Sequence, residues 1–131
     1  MIGLDTNILV RYFVKDDPEQ TRSAVSLIHN LTPVESGWVS LAVILELVWA
    51  LNRLYRIDRI QMIRILDTLL ASREIIVDQH DTVLEALRVH RSGRAGFADC
   101  LIAASAQAAG CSRTVTFDRI AARDAGMELV A

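Results

Sequence analysis

Residues 1–7 read Met-Ile-Gly-Leu-Asp-Thr-Asn, and the interpretation of the whole chain starts from them. The apolar residues 2–4 are typical of a short buried strand, and the carboxylate of Asp5 follows this strand directly. An ionised carboxylate at the end of an apolar strand is costly to bury unless it forms an ion pair or has a function. The stretch therefore predicts a strand that delivers an acid to a functional site.

The rest of the chain alternates short apolar strands with helices. Further strands are predicted at 35–40, 74–78, 114–117 and 127–130. Helices are predicted at 6–14, 18–31, 41–55, 58–72, 82–91, 96–109 and 119–125. The N-caps predicted for four of them are Asp17, Ser40, Asp81 and Asp118, and the apolar stripe predicted for 58–72 consists of Ile60, Ile63, Leu66 and Leu70. Such alternation predicts an α/β sandwich around a mostly parallel sheet, and 131 residues are enough for one domain, over 1–131, with a proper core.

Two further acids interrupt helices that are otherwise apolar. Glu46 is the only charge within 41–51, a segment so apolar that we expect it to be buried on most faces. Asp99 is the only charge within 97–104. A buried carboxylate in such a helix needs compensation, so both acids are predicted to face a functional interior. For Glu46, a buried ion pair with an arginine is the alternative.

A fourth acid, Asp118, follows the strand predicted at 114–117, just as Asp5 follows the first strand. Sites in open parallel sheets form beyond the carboxyl ends of the strands, where both acids are predicted to lie. The alternative for each is a simple N-cap on the helix that follows. We expect Asp5, Glu46, Asp99 and Asp118 to converge.

Four clustered carboxylates repel one another, and a divalent cation removes the conflict. Oxygen ligands favour Mg²⁺ or Mn²⁺ over zinc, and His29, His80 and His90 lack ligand spacing, so solvated or capping roles are expected for them. Such an ion activates water and stabilises charge on a phosphate, which predicts phosphodiester hydrolysis. Asn7 and Thr116 are candidates for orienting the acids or their waters, with local turn and strand bonding as the alternative.

The composition limits how the protein could meet a nucleic acid. The net charge of −2 excludes binding through bulk positive charge, but Lys15 is the only lysine among 14 basic residues, and the other 13 are arginine. Two sets recur every three residues, and either could line a phosphate track. They are Arg53, Arg56 and Arg59, and Arg88, Arg91 and Arg94. Solvated helix faces are the alternative for each residue.

Cysteine content and hydropathy indicate the cell compartment and the kind of partner to expect. Cys100 and Cys111 form no disulfide framework or zinc motif and are expected to be buried, reduced thiols. Neither a signal peptide nor a membrane span is recognised, so the cytoplasm is expected. The 52% hydrophobic content suggests either an apolar surface for a partner or second copy, or Ala- and Val-rich helices that inflate the figure.

Together these motifs resemble the PIN-domain family over the whole chain, and in particular the VapC-type toxins of bacterial toxin–antitoxin pairs. The motifs are Asp5-Thr6-Asn7, the lone Glu46, Phe97-Ala98-Asp99 and Thr116-Phe117-Asp118. The resemblance implies a five-stranded parallel sheet between helices, with the four acids as Mg²⁺ or Mn²⁺ ligands of an endoribonuclease. It also implies a homodimer, a small antitoxin whose tail enters the active-site groove, and tRNA or ribosomal RNA as the target. Dimer and antitoxin surfaces would lie largely on the helices within 41–72.

One position departs from the pattern, because some relatives carry a further acid where this chain has Gly96. The chain then offers four acids and not five, which bears on the binding of a second metal. Two other α/β families with acids at strand ends, receiver domains and haloacid-dehalogenase-type phosphatases, require a lysine that Lys15 is too early to supply. A non-enzymatic binding module is the remaining alternative, and it predicts the loss of an acid, whereas all four are present.

Overall fold

A computed structural model describes residues 1–130. In this range the chain alternates helices with short parallel strands. The chain divides into two compact units, Met1–Asp78 and Gln79–Ala131. Both units combine helices with a parallel strand pair or sheet, so the predicted α/β class is confirmed.

The first unit is built on a three-stranded parallel sheet in the order β1-β2-β3. In this sheet Gly3 pairs with Trp38, and Trp38 pairs with Ile76. The elements of the unit are β1 (Ile2–Gly3), α1 (Thr6–Val14), α2 (Pro18–His29), β2 (Gly37–Val39), α3 (Leu41–Arg53), α4 (Arg59–Ala71) and β3 (Ile75–Val77). Helix α1 packs against both α2 and α3, which brings the end of β1 close to α3.

The second unit contains a separate two-stranded parallel sheet. Its elements are α5 (His80–Ser92), α6 (Phe97–Ala108), β4 (Val115–Thr116), α7 (Arg119–Asp124) and β5 (Glu128–Leu129). The five strands are thus hydrogen-bonded as three plus two, and the prediction of one five-stranded sheet is wrong at this point. Apolar patterns identify strands one at a time, whereas pairing depends on the backbone hydrogen bonds of the folded chain, and strands this short offer few of them.

Side-chain caps set the starts of three helices in the first unit. The carboxylate of Asp17 accepts the N–H of Gln20, and the Ser40 hydroxyl accepts that of Val43, as their positions in the sequence predict. Asp58 caps α4 in the same way, accepting the Gln61 N–H at 2.8 Å. The predicted cap at Asp81 is wrong, because α5 begins at His80, two residues before the predicted start, and its N-cap residue, Gln79, forms no side-chain cap.

Helix α3 is not buried on most faces, contrary to the prediction. Leu47 is fully buried, with Ile44 and Leu51 on the same face. Glu46 and Trp49 lie on the opposite face and are exposed. An all-apolar helix carries no pattern that tells which side meets the core, so only packing against α1 decides it.

Helix α4 also presents a different face from the one predicted. Its buried residues are Met62, Leu66, Leu69 and Leu70, whereas Ile60 is 66% exposed and Ile63 is partly exposed. The predicted stripe counted Ile60 in the first turn, where α4 is not yet covered by other elements of the unit.

Two predictions about single residues in the second unit are corrected. His90 is buried, and its Nδ1 lies 2.9 Å from the Ala95 carbonyl oxygen, so it is a core residue and not a solvated one. Cys100 is buried as expected, but Cys111 is exposed. Within residues 1–130, no helix is both long enough and apolar enough to cross a membrane.

Candidate active site

One cavity of the first unit is lined by two of the four predicted acids, Asp5 and Glu46, and has a volume of about 330 Å³. Asp5 reaches it from the end of β1, and Glu46 from the exposed side of α3. The rest of the lining comes from α1 and from α3 and the loop after it. It consists of Thr6, Asn7, Val10, Arg11, Trp49, Ala50, Leu54 and Tyr55. Two acids that are 41 positions apart in sequence therefore share one cavity.

Asp5 caps helix α1, which was the alternative to a role in a functional site. Its Oδ1 accepts the N–H of Thr6 at 2.8 Å, and its backbone carbonyl accepts that of Ile8. The side chain is nevertheless exposed, and Oδ2 has no hydrogen-bond partner in the described part of the chain. The cap orients the carboxylate through one oxygen and leaves the other directed to solvent, so capping and ligand binding are compatible.

Glu46 is exposed, so the argument that singled it out as a buried charge is wrong. No arginine pairs with it within residues 1–130, which also removes the alternative of a buried ion pair. An exposed carboxylate in an otherwise apolar face lies where a cation or a substrate can reach it. Its position in the cavity, and not burial, is what marks it as a site residue.

Arg11 was not singled out by the sequence, although it lines the same cavity. Its Nη1 donates to the Tyr55 hydroxyl oxygen at 3.0 Å and to Asp16 Oδ1 at 3.2 Å, and its Nε donates to Gln20 Oε1 at 2.7 Å. These hydrogen bonds hold the guanidinium in place, and the one to Tyr55 raises the pKa of Arg11. The four-residue spacing from Asn7 could have revealed it, whereas the contact with Tyr55, 44 residues away, could not.

Thr6 brings a buried hydroxyl to the wall of this cavity. The residue is 6% exposed, and its Oγ1 has no hydrogen-bond partner in the part of the chain that the structure describes. A buried hydroxyl without a partner costs roughly 1–3 kcal/mol. Thr6 is thus a residue of the cavity lining whose own hydroxyl is buried and has no partner in residues 1–130.

Replacing Thr6 by Val, which has the same shape, is expected to leave the free energy of unfolding unchanged or raise it by up to about 1 kcal/mol, because no hydrogen bond is lost. Urea unfolding measures this. Thr32→Val is the control, since the Thr32 hydroxyl accepts the Glu35 N–H at 2.9 Å and its loss is expected to be destabilising. A Thr6→Val variant less stable by more than about 1 kcal/mol would contradict the unpaired hydroxyl.

The other two predicted acids lie in the second unit. Asp99 is partly buried in the first turn of α6, whose N-cap, Gly96, offers no side chain. Asp118 is exposed and caps α7, its Oδ1 accepting the N–H of Ala121 at 2.9 Å. Thr116 Oγ1 accepts the backbone N–H of Asp118 at 3.0 Å, so Thr116 fixes the turn that carries this acid.

Two of the four acids lie in each unit. Among the described residues of either unit, no three His, Cys, Asp or Glu side chains stand together as a metal site. The donors themselves fit a hard cation, since they are carboxylates, and three of the four are exposed while Asp99 is partly exposed. Asn7, predicted to orient an acid or its water, lines the cavity beside Asp5 and Glu46.

Comparison with known proteins identifies the family of the chain. The family model described as PIN domain matches residues 2–126. The chain belongs to the PIN domain family. The match covers both units and contains all four acids, and it confirms the resemblance seen in the sequence. A VapC ribonuclease of Aquifex aeolicus (strain VF5) is 26% identical over 117 residues, which are 88% of this chain and 86% of that protein.

In this PIN domain the arginines predicted to meet RNA have different surroundings. Arg53 ends α3 and Arg56 adopts a left-handed backbone with φ 51°; both are exposed. Arg88 binds Glu85 through two hydrogen bonds of 2.9 and 2.6 Å, which raise the pKa of Arg88 and lower that of Glu85. The backbone N–H of Arg94 donates to Asp124 Oδ2. Arg59 and Arg91 are exposed as well.

Proposed function

We propose that this PIN domain is a cytoplasmic, metal-dependent endoribonuclease, the toxin of a toxin–antitoxin pair that cleaves tRNA or ribosomal RNA. The observation that carries the proposal is the cavity lined by Asp5 and Glu46, two exposed carboxylates that come from different elements. Family membership supports it, as does the similarity to a protein named as a VapC ribonuclease.

Asp5, Glu46, Asp99 and Asp118 are the proposed metal ligands. They are the acids of the PIN motifs, and the family match contains all of them. Oxygen donors favour Mg²⁺ or Mn²⁺. Such an ion, when bound, supplies an activated water and stabilises the charge of a phosphate. Because the family match spans both units, we also propose that residues 1–131 work as one domain.

Hydrogen bonds within the chain orient the proposed metal ligands. Asp5 is held by its cap to Thr6, and Asp118 by its cap to Ala121, so neither carboxylate needs to be ordered when a cation binds. Asn7 is proposed to hold a water in the cavity, and Thr116 to position Asp118 through its backbone N–H. These contacts support preorganised acids rather than a flexible acidic surface.

A homodimer and a small antitoxin are the proposed protein partners. The resemblance locates both surfaces largely on helices α3 and α4, and exposed apolar side chains such as Leu45 support this assignment. The second candidate function is a non-enzymatic binding module, which the exposed apolar residues of α3 would also serve. The presence of all four acids favours the enzyme.

Cleavage of total cellular RNA by purified protein in Mg²⁺, Mn²⁺ or EDTA tests the proposal, with Asp99→Asn as the control for contaminating nuclease. We expect discrete fragments that require the metal and disappear in the variant, and mapping their ends would name the target. No cleavage by antitoxin-free protein with any of these metals would overturn the enzyme in favour of the binding module.

The arginines of α5 provide a further prediction. Replacing both Arg88 and Arg91 by Ala is expected to weaken RNA cleavage without changing metal binding, because phosphate contacts add affinity. Each lost contact should lower the slope of log affinity against log salt by about 1. The matched control is Arg22→Ala with Arg73→Ala, which removes the same charge from exposed positions of the first unit. Equal cleavage by the two double variants would refute the phosphate track.

A further inference from the structure

Trp49 is a large aromatic side chain that stands exposed beside two of the proposed acids, Asp5 and Glu46. It is 55% exposed, it lies three residues after Glu46 on α3, and it lines the same cavity. Side chains at this spacing lie on one face of a helix. A tryptophan that packs the core would be covered, so the indole of Trp49 is accessible to a ligand at this position.

The lining around Trp49 is mostly apolar, with Val10, Ala50 and Leu54, and it has polar groups among these side chains. Asp5, Glu46 and Asn7 bring carboxylates and an amide, and Arg11 brings a positive charge. The described hydrogen bonds of Arg11 use its Nε and Nη1 groups, and its Nη2 makes none in residues 1–130. An apolar surface with polar groups around it suits a ligand with a flat aromatic face and polar edges.

The volume of the cavity is suited to a small group. At about 330 Å³ it is at the small end of ligand sites, which is room enough for one base. A nucleotide base has the required flat face and hydrogen-bonding edges. Asn7 can donate and accept hydrogen bonds at such an edge.

We propose that the indole of Trp49 stacks against one unpaired base of the RNA substrate and so selects an unstacked nucleotide next to the acids. This inference rests on the proposed ribonuclease function and names the residue that would read its substrate. Trp49 acts here as a specificity-determining residue, and the chemistry remains with the acids. Base-paired RNA is rejected because its bases have no free face.

Binding of a labelled single-stranded oligoribonucleotide, followed by anisotropy at fixed salt, tests the assignment without requiring cleavage. The measurements use full-length protein carrying Asp99→Asn so that the RNA stays intact. Trp49→Ala is expected to weaken binding by about 5- to 150-fold, the range for loss of one base–aromatic stack. Trp49→Phe, which keeps an aromatic face, is expected to stay within about threefold of the parent.

Oligonucleotides with one abasic position each make the test specific. The parent should lose affinity most strongly at one position, and Trp49→Ala should lose nothing further there, because the partner base is already missing. Ile60→Ala is the control for loss of an exposed apolar side chain, since Ile60 is 66% exposed and outside the lining of this cavity. It should bind like the parent.

The outcomes separate the two proposals. If the wild-type protein binds RNA through Trp49 but does not cut it, the ribonuclease fails and the stacking residue stands. If the wild-type protein cuts RNA and Trp49→Ala binds as tightly as the parent, or binds more weakly without dependence on any base position, the stacking residue is overturned. A change in molecular mass by light scattering in Trp49→Ala, with unchanged RNA affinity, would assign Trp49 to a protein interface.

Discussion

Replacing Asp5 by Asn is expected to lower kcat/KM for RNA cleavage by roughly a hundredfold or more, because removal of residues that merely support metal ligands already costs about 10- to 100-fold. Stability should change by less than about 1 kcal/mol, because asparagine caps helices as well as aspartate does and only the charge at the start of α1 is lost. The cap to Thr6 at 2.8 Å can therefore survive the substitution.

This substitution separates the cap that Asp5 forms from its proposed role as a metal ligand. Asp5→Ala should lose activity to a similar extent and also about 0.5–2 kcal/mol of stability, because the cap is gone. Asp58→Asn is the matched control, since Asp58 caps α4 with the same 2.8 Å geometry and lies outside the cavity. Full activity in Asp5→Asn would show that the residue is a cap and nothing more.

Replacing Leu47 by Ala is expected to produce the largest loss of stability, about 2–5 kcal/mol in the free energy of unfolding. Leu47 is completely buried on the face of α3 opposite to Glu46, so truncation leaves a cavity in the core of the first unit. Since single domains are stable by only about 5–15 kcal/mol, this is a large share of the total. Thermal and urea unfolding measure it.

Leu45→Ala is the control within the same helix. Leu45 is 38% exposed, so the same change of side chain should cost less than about 1 kcal/mol. Comparing the stability losses of the two variants tests which face of α3 meets the core. Because Glu46 lies on the face away from Leu47, the comparison also tests whether Glu46 is exposed. Equal destabilisation by the two variants would mean that α3 is buried on both sides, as the sequence alone had suggested.

Local sequence rules predicted the helices and their caps well. Asp17, Ser40 and Asp118 cap the helices that they were expected to cap, because capping depends only on residues two or three positions away. The motifs that carry the acids also led to the correct family from the sequence alone. Burial was predicted less well, since Glu46 was singled out for a burial that the structure does not show.

The sequence by itself therefore determined the α/β class, the order of the elements, the family and the helix starts apart from that of α5. Only the tertiary structure decided which face of α3 meets the core, how the strands pair, and that Arg11, Trp49 and Tyr55 join Asp5 and Glu46 around one cavity. The reason is the range of the interactions. Caps and helix periodicity act between neighbours, whereas burial, strand pairing and the Arg11–Tyr55 hydrogen bond join residues that are distant in sequence and meet only when the helices pack.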